Sequence, residues 1–282
     1  MFTPENQIFY TSIGDVLVEP NTDAFDADIV SNVVENGVGV ITFDSPVKSI
    51  KGEAFQFLGT LLSITLPKGL ESIGYSAFDG TSITEFAVPD SVIKIDDGAF
   101  WNCKNLRKFA GKFASADGRC LVVDGALKAI AAANLMEYAI PDGVEVVGSN
   151  ILGWDIEIEK IILPSSVKSI CDSAFSDCST LMSIELNEGL ETLDTFAFMG
   201  IDNIESITIP STVTKVGNYL FKGCFALERV EFLAVEPADV PDNFELGGEC
   251  IEAVIVPQDS VEIYRTAKGW ANIADKIVGN RD

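Results

Sequence analysis

Candidate chemistry in this chain starts with carboxylates, because 43 Asp and Glu face 19 Lys and Arg, and there is no histidine. Without an imidazole no Ser-His or Cys-His nucleophile can be assembled, and no metal site can use a histidine ligand. Glu185 and Glu231 form the acid pair of most interest. They hold the same place in an internal repeat, two rungs apart, where regular strand stacking would set their Cα atoms roughly 10 Å from each other. Glycosidases place two carboxylates about one bond, so the pair is a candidate for work on a polysaccharide. An acid-rich repeat produces such pairs without selection for catalysis, and nothing in the sequence marks either acid as perturbed.

Metal and thiol chemistry have weaker support. Asp23, Asp26 and Asp28 cluster near the start, but neither an EF-hand loop nor a Gly-Asp nonapeptide repeat surrounds them, so they read as solvated loop charge with no metal expected. Six cysteines contain no C-x-x-C spacing, which removes the zinc-ribbon and redox-pair readings. Cys103, Cys178 and Cys224 recur in one repeat slot on rungs that are not neighbours. Such rungs lie about 10 Å or more apart, beyond the roughly 7 Å limit of a disulfide, so the three read as small buried hydrophobes. No cofactor is implied.

The elements that would position any of these groups come from a repeat of fixed phase. Starting at Leu61-x-x-Ile64-x-Leu66-Pro67, equivalents of Ile64 recur at Ile41, Phe86, Phe109, Tyr138, Ile161, Ile184, Ile207, Val230 and Val254, at intervals of 22 to 24 except for one of 29. Thirteen residues after the reference position stands a small-then-aromatic pair: Ala54-Phe55, Ala77-Phe78, Ala99-Phe100, Ala174-Phe175, Ala197-Phe198 and, more loosely, Leu220-Phe221. Proline follows the reference by three at Pro67, Pro89, Pro141, Pro164, Pro210 and Pro257. Ile64-Thr65-Leu66 alternates in, out, in, as a short strand does. Proline then ends the ladder and lets the chain turn. One rung cannot bury its apolar face, but stacked rungs share a continuous core. The expected fold is a β-rich solenoid, a right-handed superhelix of about ten rungs of 22–24 residues with capped ends.

The unit I-x-I-P-x-x-V-x-x-I-x-x-x-A-F-x-x-C, shown by residues 161–178 with Leu163 for the second isoleucine and again from Ile207 to Cys224, resembles the BspA-like leucine-rich repeat family. The resemblance covers roughly residues 38–280. It implies a leucine-rich repeat fold and a bacterial surface or secreted protein, some of whose relatives are adhesins, so it places the chain outside the cell or on its surface.

Both ends are expected to be caps. Residues 1–37 would pair two short strands, Ile8-Phe9-Tyr10 and Val16-Leu17-Val18, around Gly14-Asp15. Residues 257–282 would carry a capping box from Asp259 to Glu262, a short amphipathic helix, and Trp270 laid over the last rung. The solenoid would span 38–256, with a hairpin-like insertion near 110–135 turning at Asp124-Gly125. That insertion either protrudes as a binding feature or shields an interruption in the stack.

Composition bounds the partners. A net charge of −24 opposes nucleic acid and anionic membranes. No apolar run reaches the ~18 residues of a spanning helix; residues 126–140 come nearest and contain Lys128, Asn134 and Glu137. The first basic residue is Lys48, so the positive region of a secretory signal is missing from the chain shown. An unusual export route and a removed leader both remain open. The expected partner is a protein or glycan macromolecule, met without catalysis on a concave strip of Thr65, Glu85, Glu137, Lys160, Ile162, Glu185, Thr208, Arg229 and Glu231. A parallel β-helix enzyme using exposed carboxylates is the alternative, and a purely structural spacer the third. Ile162 stands out as an apolar anchor on an otherwise mild strip.

Overall fold

The computed structural model describes residues 4–154 and 156–280. The chain is a β-solenoid of about ten turns, and it divides into two compact units, Met1–Asn134 with Ile151–Gly153, and Leu135–Asn150 with Trp154–Asp282.

In the first unit the reference positions sit on strands Leu61–Thr65, Glu85–Val88 and Lys108–Gly111. The last two pair in parallel, Phe86 against Phe109. A second parallel ladder runs through Ser49–Ile50, Ser72–Ile73 and Lys94–Ile95 on the next side of the coil. The small-aromatic slot fills the interior between them. Phe55, Phe78 and Phe100 form one file, with centroids 5.4 Å apart at each step and rings within 13° of parallel. Equivalent atoms repeat at the strand spacing, so rings of one rotamer must stack this way.

The N-terminal segment differs from the expected cap. Gln7–Ser12 is a strand, but residues 16–18 are not. The hairpin forms further on, where Ile29–Glu35 meets Val38–Phe43 around Asn36 and Gly37, both at positive φ, as a two-residue turn requires. Gln7–Ser12 then lies antiparallel between Val38–Phe43 and Leu61–Thr65, with Ile8 opposite Ile41 and Tyr10 opposite Ile64. Its alternation buries Ile8, Tyr10 and Ser12, and any strand with one apolar face can join an open sheet edge. Tyr10 lies across Gly39, where a Cβ would fall inside its ring. The insertion is the antiparallel hairpin Cys120–Val123 with Ala126–Ile130. Asp124 and Gly125 turn it at φ 49° and 77°, and Leu121, Val123, Leu127 and Ala129 are buried.

The second unit repeats the scheme. Glu137–Ala139, Lys160–Ile162 and Ser183–Glu185 form a parallel ladder. Ser206–Ile209, Arg229–Phe232, Ala253–Val256 and Ile277–Gly279 form another. On the adjoining side Val146–Val147, Ser169–Ile170, Thr192–Leu193 and Lys215–Val216 run as one. Phe175, Phe198 and Phe221 stack at 5.9 and 5.6 Å.

At the C-terminal end the helix is Val261–Thr266, but Ser260 holds the N-cap position and makes no side-chain cap. Glu262 instead accepts from Arg265 at 3.3 Å. Trp270 is fully buried against Phe232, Phe244 and Tyr264. Its indole N–H donates to Ala238 O at 2.8 Å, and Tyr264 OH to Ala234 O at 2.9 Å. These carbonyls lie between the end of the Arg229–Phe232 strand and the Lys215–Asp239 bridge, so the two side chains satisfy backbone outside the strand ladders.

Candidate functional site

The outward residues of the concave strands form two columns in the second unit. Register places Glu137 beside Lys160 and Ser183, and Ala139 beside Ile162 and Glu185. It likewise places Ser206 beside Arg229 and Ala253, and Thr208 beside Glu231 and Ile255. Glu137, Glu185, Thr208 and Arg229 are exposed, while Lys160, Ile162 and Glu231 are half-buried. Ile162 is thus less available than an isolated outward isoleucine would be. Its neighbours on both sides narrow the surface it offers. Thr65 and Glu85 are exposed on the first unit.

The columns are not uniformly free. Lys160 Nζ reaches Glu185 Oε1 at 2.6 Å, and this hydrogen bond, with the charge behind it, holds the Lys160 ammonium above the ordinary lysine range. The pair crosses from one column to the other, so it fixes the orientation of the strip's central charges. A partner must accept the ion pair as a unit or break it. Among the acids near the start, Asp26 accepts the backbone N–H of Lys48 and of Ser49 at 3.1 Å each, a structural task for one member of that cluster.

Regular stacking fails at places that the repeat does not reveal. The Ser183–Glu185 and Ser206–Ile209 strands belong to separate sheets, although the rungs that carry them join through Thr192–Leu193 and Lys215–Val216 on the adjoining side. The roughly 10 Å spacing expected between Glu185 and Glu231 presumed an unbroken ladder, and the ladder is interrupted between their rungs. A cleft of about 950 Å³ opens between the two strands, lined by Met182, Glu185, Glu188, Asn203, Glu205 and Thr208 among others. In the first unit a smaller cleft of about 490 Å³ lies between Leu61–Thr65 and Glu85–Val88 and includes Thr65. There, among the described residues, one bond, Thr84 N–H to Leu62 O at 3.3 Å, joins the two concave strands, while the rungs stay paired on the adjoining side. Three of the four reference residues beside these breaks are less sealed: Ile64, Ile184 and Ile207 are 7%, 9% and 6% exposed, against 0% for Ile161 and Val230, while the larger Phe86 stays at 1%.

The remaining expected features are structural. Cys103, Cys178 and Cys224 are buried in their shared slot. Burial pushes the Cys103 and Cys224 thiols up to about 12, and each donates to a phenylalanine carbonyl of the preceding rung, Phe78 O and Phe198 O, at 3.0 Å. No helix among the described residues is long and apolar enough to cross a membrane.

A coil of short parallel strands, stacked rings and thiol-clamped turns defines the leucine-rich repeat class of solenoid. Residues 35–114 and 128–240 match the BspA type Leucine rich repeat region in six copies, and the chain belongs to that family. Two solved structures share the fold. The pneumococcal vaccine antigen PcpA superposes at a TM-score of 0.62 with 19% identity, over 82% of this chain and 65% of that one. A leucine rich cell surface protein from Faecalibacterium prausnitzii superposes at 0.57 with 21% identity, over 84% and 65%. The chain therefore spans a little under two thirds of each of these proteins. No curated protein sequence matches it.

Proposed function

We propose that this chain is a non-enzymatic interaction module of a bacterial surface or secreted protein, which binds a protein or glycan macromolecule through the concave strip. The observation that carries the reading is the register of the second unit. Parallel pairing repeats the outward positions within each of two ladders, Glu137, Lys160, Ile162 and Glu185 in one and Thr208, Arg229 and Glu231 in the other, so together they offer a mixed polar face. Shallow contacts spread over several rungs add up where no single residue dominates. The surface setting draws on the family and on the described setting of the Faecalibacterium prausnitzii neighbour.

The test is a matrix-protein and glycan array probed with the intact chain, followed by Ile162→Asp combined with Arg229→Glu. Either change alters the strip and leaves the core untouched. Binding should weaken by about tenfold or more, the equivalent of 1.4 kcal/mol. Every detected interaction surviving unchanged removes the concave strip from the function.

A further inference from the structure

We propose that the cleft between Ser183–Glu185 and Ser206–Ile209 is a strand-docking site that takes an extended, lysine-rich segment of a partner protein by β-augmentation. This goes beyond the surface contact proposed above, since it names a second mode of binding and a chemistry for the partner.

The first support is a row of backbone groups without ladder partners. In the neighbouring rungs Met182 N–H donates to Glu159 O at 2.8 Å, Leu163 N–H to Glu185 O at 3.3 Å, and Glu228 N–H to Glu205 O at 3.0 Å. The corresponding bonds, from Glu205 N–H to Met182 O and from Leu186 N–H to Thr208 O, are not formed among the described residues. An open strand edge is a template for another strand, and here two edges face one space.

The second support is a precedent inside the chain. Between the strands of the first two rungs, Val38–Phe43 and Leu61–Thr65, the Gln7–Ser12 strand is already inserted and pairs antiparallel with both. Adjacent rungs of this solenoid therefore admit an intercalated strand while the rest of the coil closes around them. A turn residue accompanies the opening. Turns with Cys103, Cys178 or Cys224 in the shared slot lead into strands that pair with the preceding rung. Turns with Leu58, Thr81 or Ile201 there lead into strands that do not. Gly247 holds the slot ahead of Ala253–Val256, which does pair, so the thiol favours closure without being required for it.

The third support is charge. Glu185, Glu188 and Glu205 line the cleft and no basic residue does; Lys160 reaches only Glu185, from the neighbouring rung, which leaves Glu188 and Glu205 to set the charge of the cleft. A strand in the cleft directs alternate side chains outward among these carboxylates and the others toward Ile184 and Ile207. It therefore needs basic residues on one face and apolar residues on the other.

The experiment uses the full chain and a peptide of about seven residues, acetylated and amidated, alternating lysine with valine. Hydrogen exchange of the free chain should show Glu205 and Leu186 amides exchanging much faster than those of Glu228 and Leu163. Adding peptide should slow Glu205 and Leu186 selectively. Glu188→Lys with Glu205→Lys should weaken the peptide by about tenfold or more, and so should N-methylation of alternate peptide nitrogens, which keeps charge and removes donors. The Ile162→Asp and Arg229→Glu variant should bind the peptide normally, which separates this site from the strip. Glu205 and Leu186 amides as protected in the free chain as those of Glu228 and Leu163 overturn the proposal, because the ladder is then closed. Equal binding of the N-methylated peptide also overturns it, because attraction is then to surface charge alone.

Discussion

Phe78 and Phe57 offer a sharp test of the stacked interior, since both are phenylalanines in the first unit and only one lies in the repeat slot. Phe78 is fully buried, stacked on Phe55 and Phe100 at 5.4 Å and met edge-on by Phe86 at 4.9 Å. Phe57 is 61% exposed. Phe78→Ala removes a buried ring and leaves a cavity that the rungs above and below cannot fill without shifting, which costs about 3–5 kcal/mol. Three ring contacts, each worth roughly 0.5–1.5 kcal/mol beyond area, put the value toward the upper end. Phe57→Ala loses only partial contact and should stay within about 0.5 kcal/mol of the parent. Urea titration of the intact chain, followed by circular dichroism, reads both. At m-values of about 1–3 kcal/mol/M, Phe78→Ala should lower the midpoint by at least about 1 M. Hydrogen exchange should place the loss in Glu85–Val88 and Lys108–Gly111, the strands nearest the file. If Phe78→Ala comes within about 1 kcal/mol of Phe57→Ala, the rings do not form the core, and the assigned phase of the repeat is wrong.

Three further outcomes are expected. Trp270→Phe should destabilise by about 1–3 kcal/mol in the same titration, because Ala238 O loses its 2.8 Å donor while remaining buried; a change under about 0.5 kcal/mol would mean water reaches that carbonyl. Asp79 is fully buried, and burial raises its carboxyl above the ordinary 3.8 although Gln56 donates to it at 2.9 Å. The fold therefore keeps the proton more tightly than the unfolded chain, stability falls as pH climbs from 3.8 through the folded value, and the penalty persists at neutral pH. Asp79→Asn should raise the melting temperature at pH 7 and flatten that acid slope; an unchanged slope would show that another group causes it. Alkylation with iodoacetamide at pH 8 should label exposed Cys250 in the native chain, while Cys103 and Cys224, buried with thiols pushed up to about 12, should react only after unfolding. Native labelling of Cys103 at the denatured rate would contradict its burial.

Which positions face inward was legible in the residues alone, and so was the family. Ile161, Val167, Ile170, Phe175 and Cys178 are all buried as their spacing predicts, because burial of an apolar side chain follows from period-two alternation within a strand and from repetition between rungs. Asp124-Gly125 announced its hairpin for a similar local reason, the need for positive φ at both turn residues. The burial of Trp270 was recognisable for a plainer reason, since a large apolar ring among apolar neighbours leaves water.

Pairing between strands was decided only in three dimensions. Ile8, Tyr10 and Ser12 mark a strand, but nothing local says that it enters between the first two rungs. The interval from Ile184 to Ile207 is 23, the same as from Ile161 to Ile184, yet one pair of strands bonds and the other opens a cleft. Asp259 and Glu262 have capping-box spacing, yet Arg265 takes the glutamate. The physical reason is common to all three. A residue's own pattern records whether it is buried, whereas a backbone hydrogen bond depends on a few tenths of an ångström accumulated over packed turns, and on which other groups compete for the same donor.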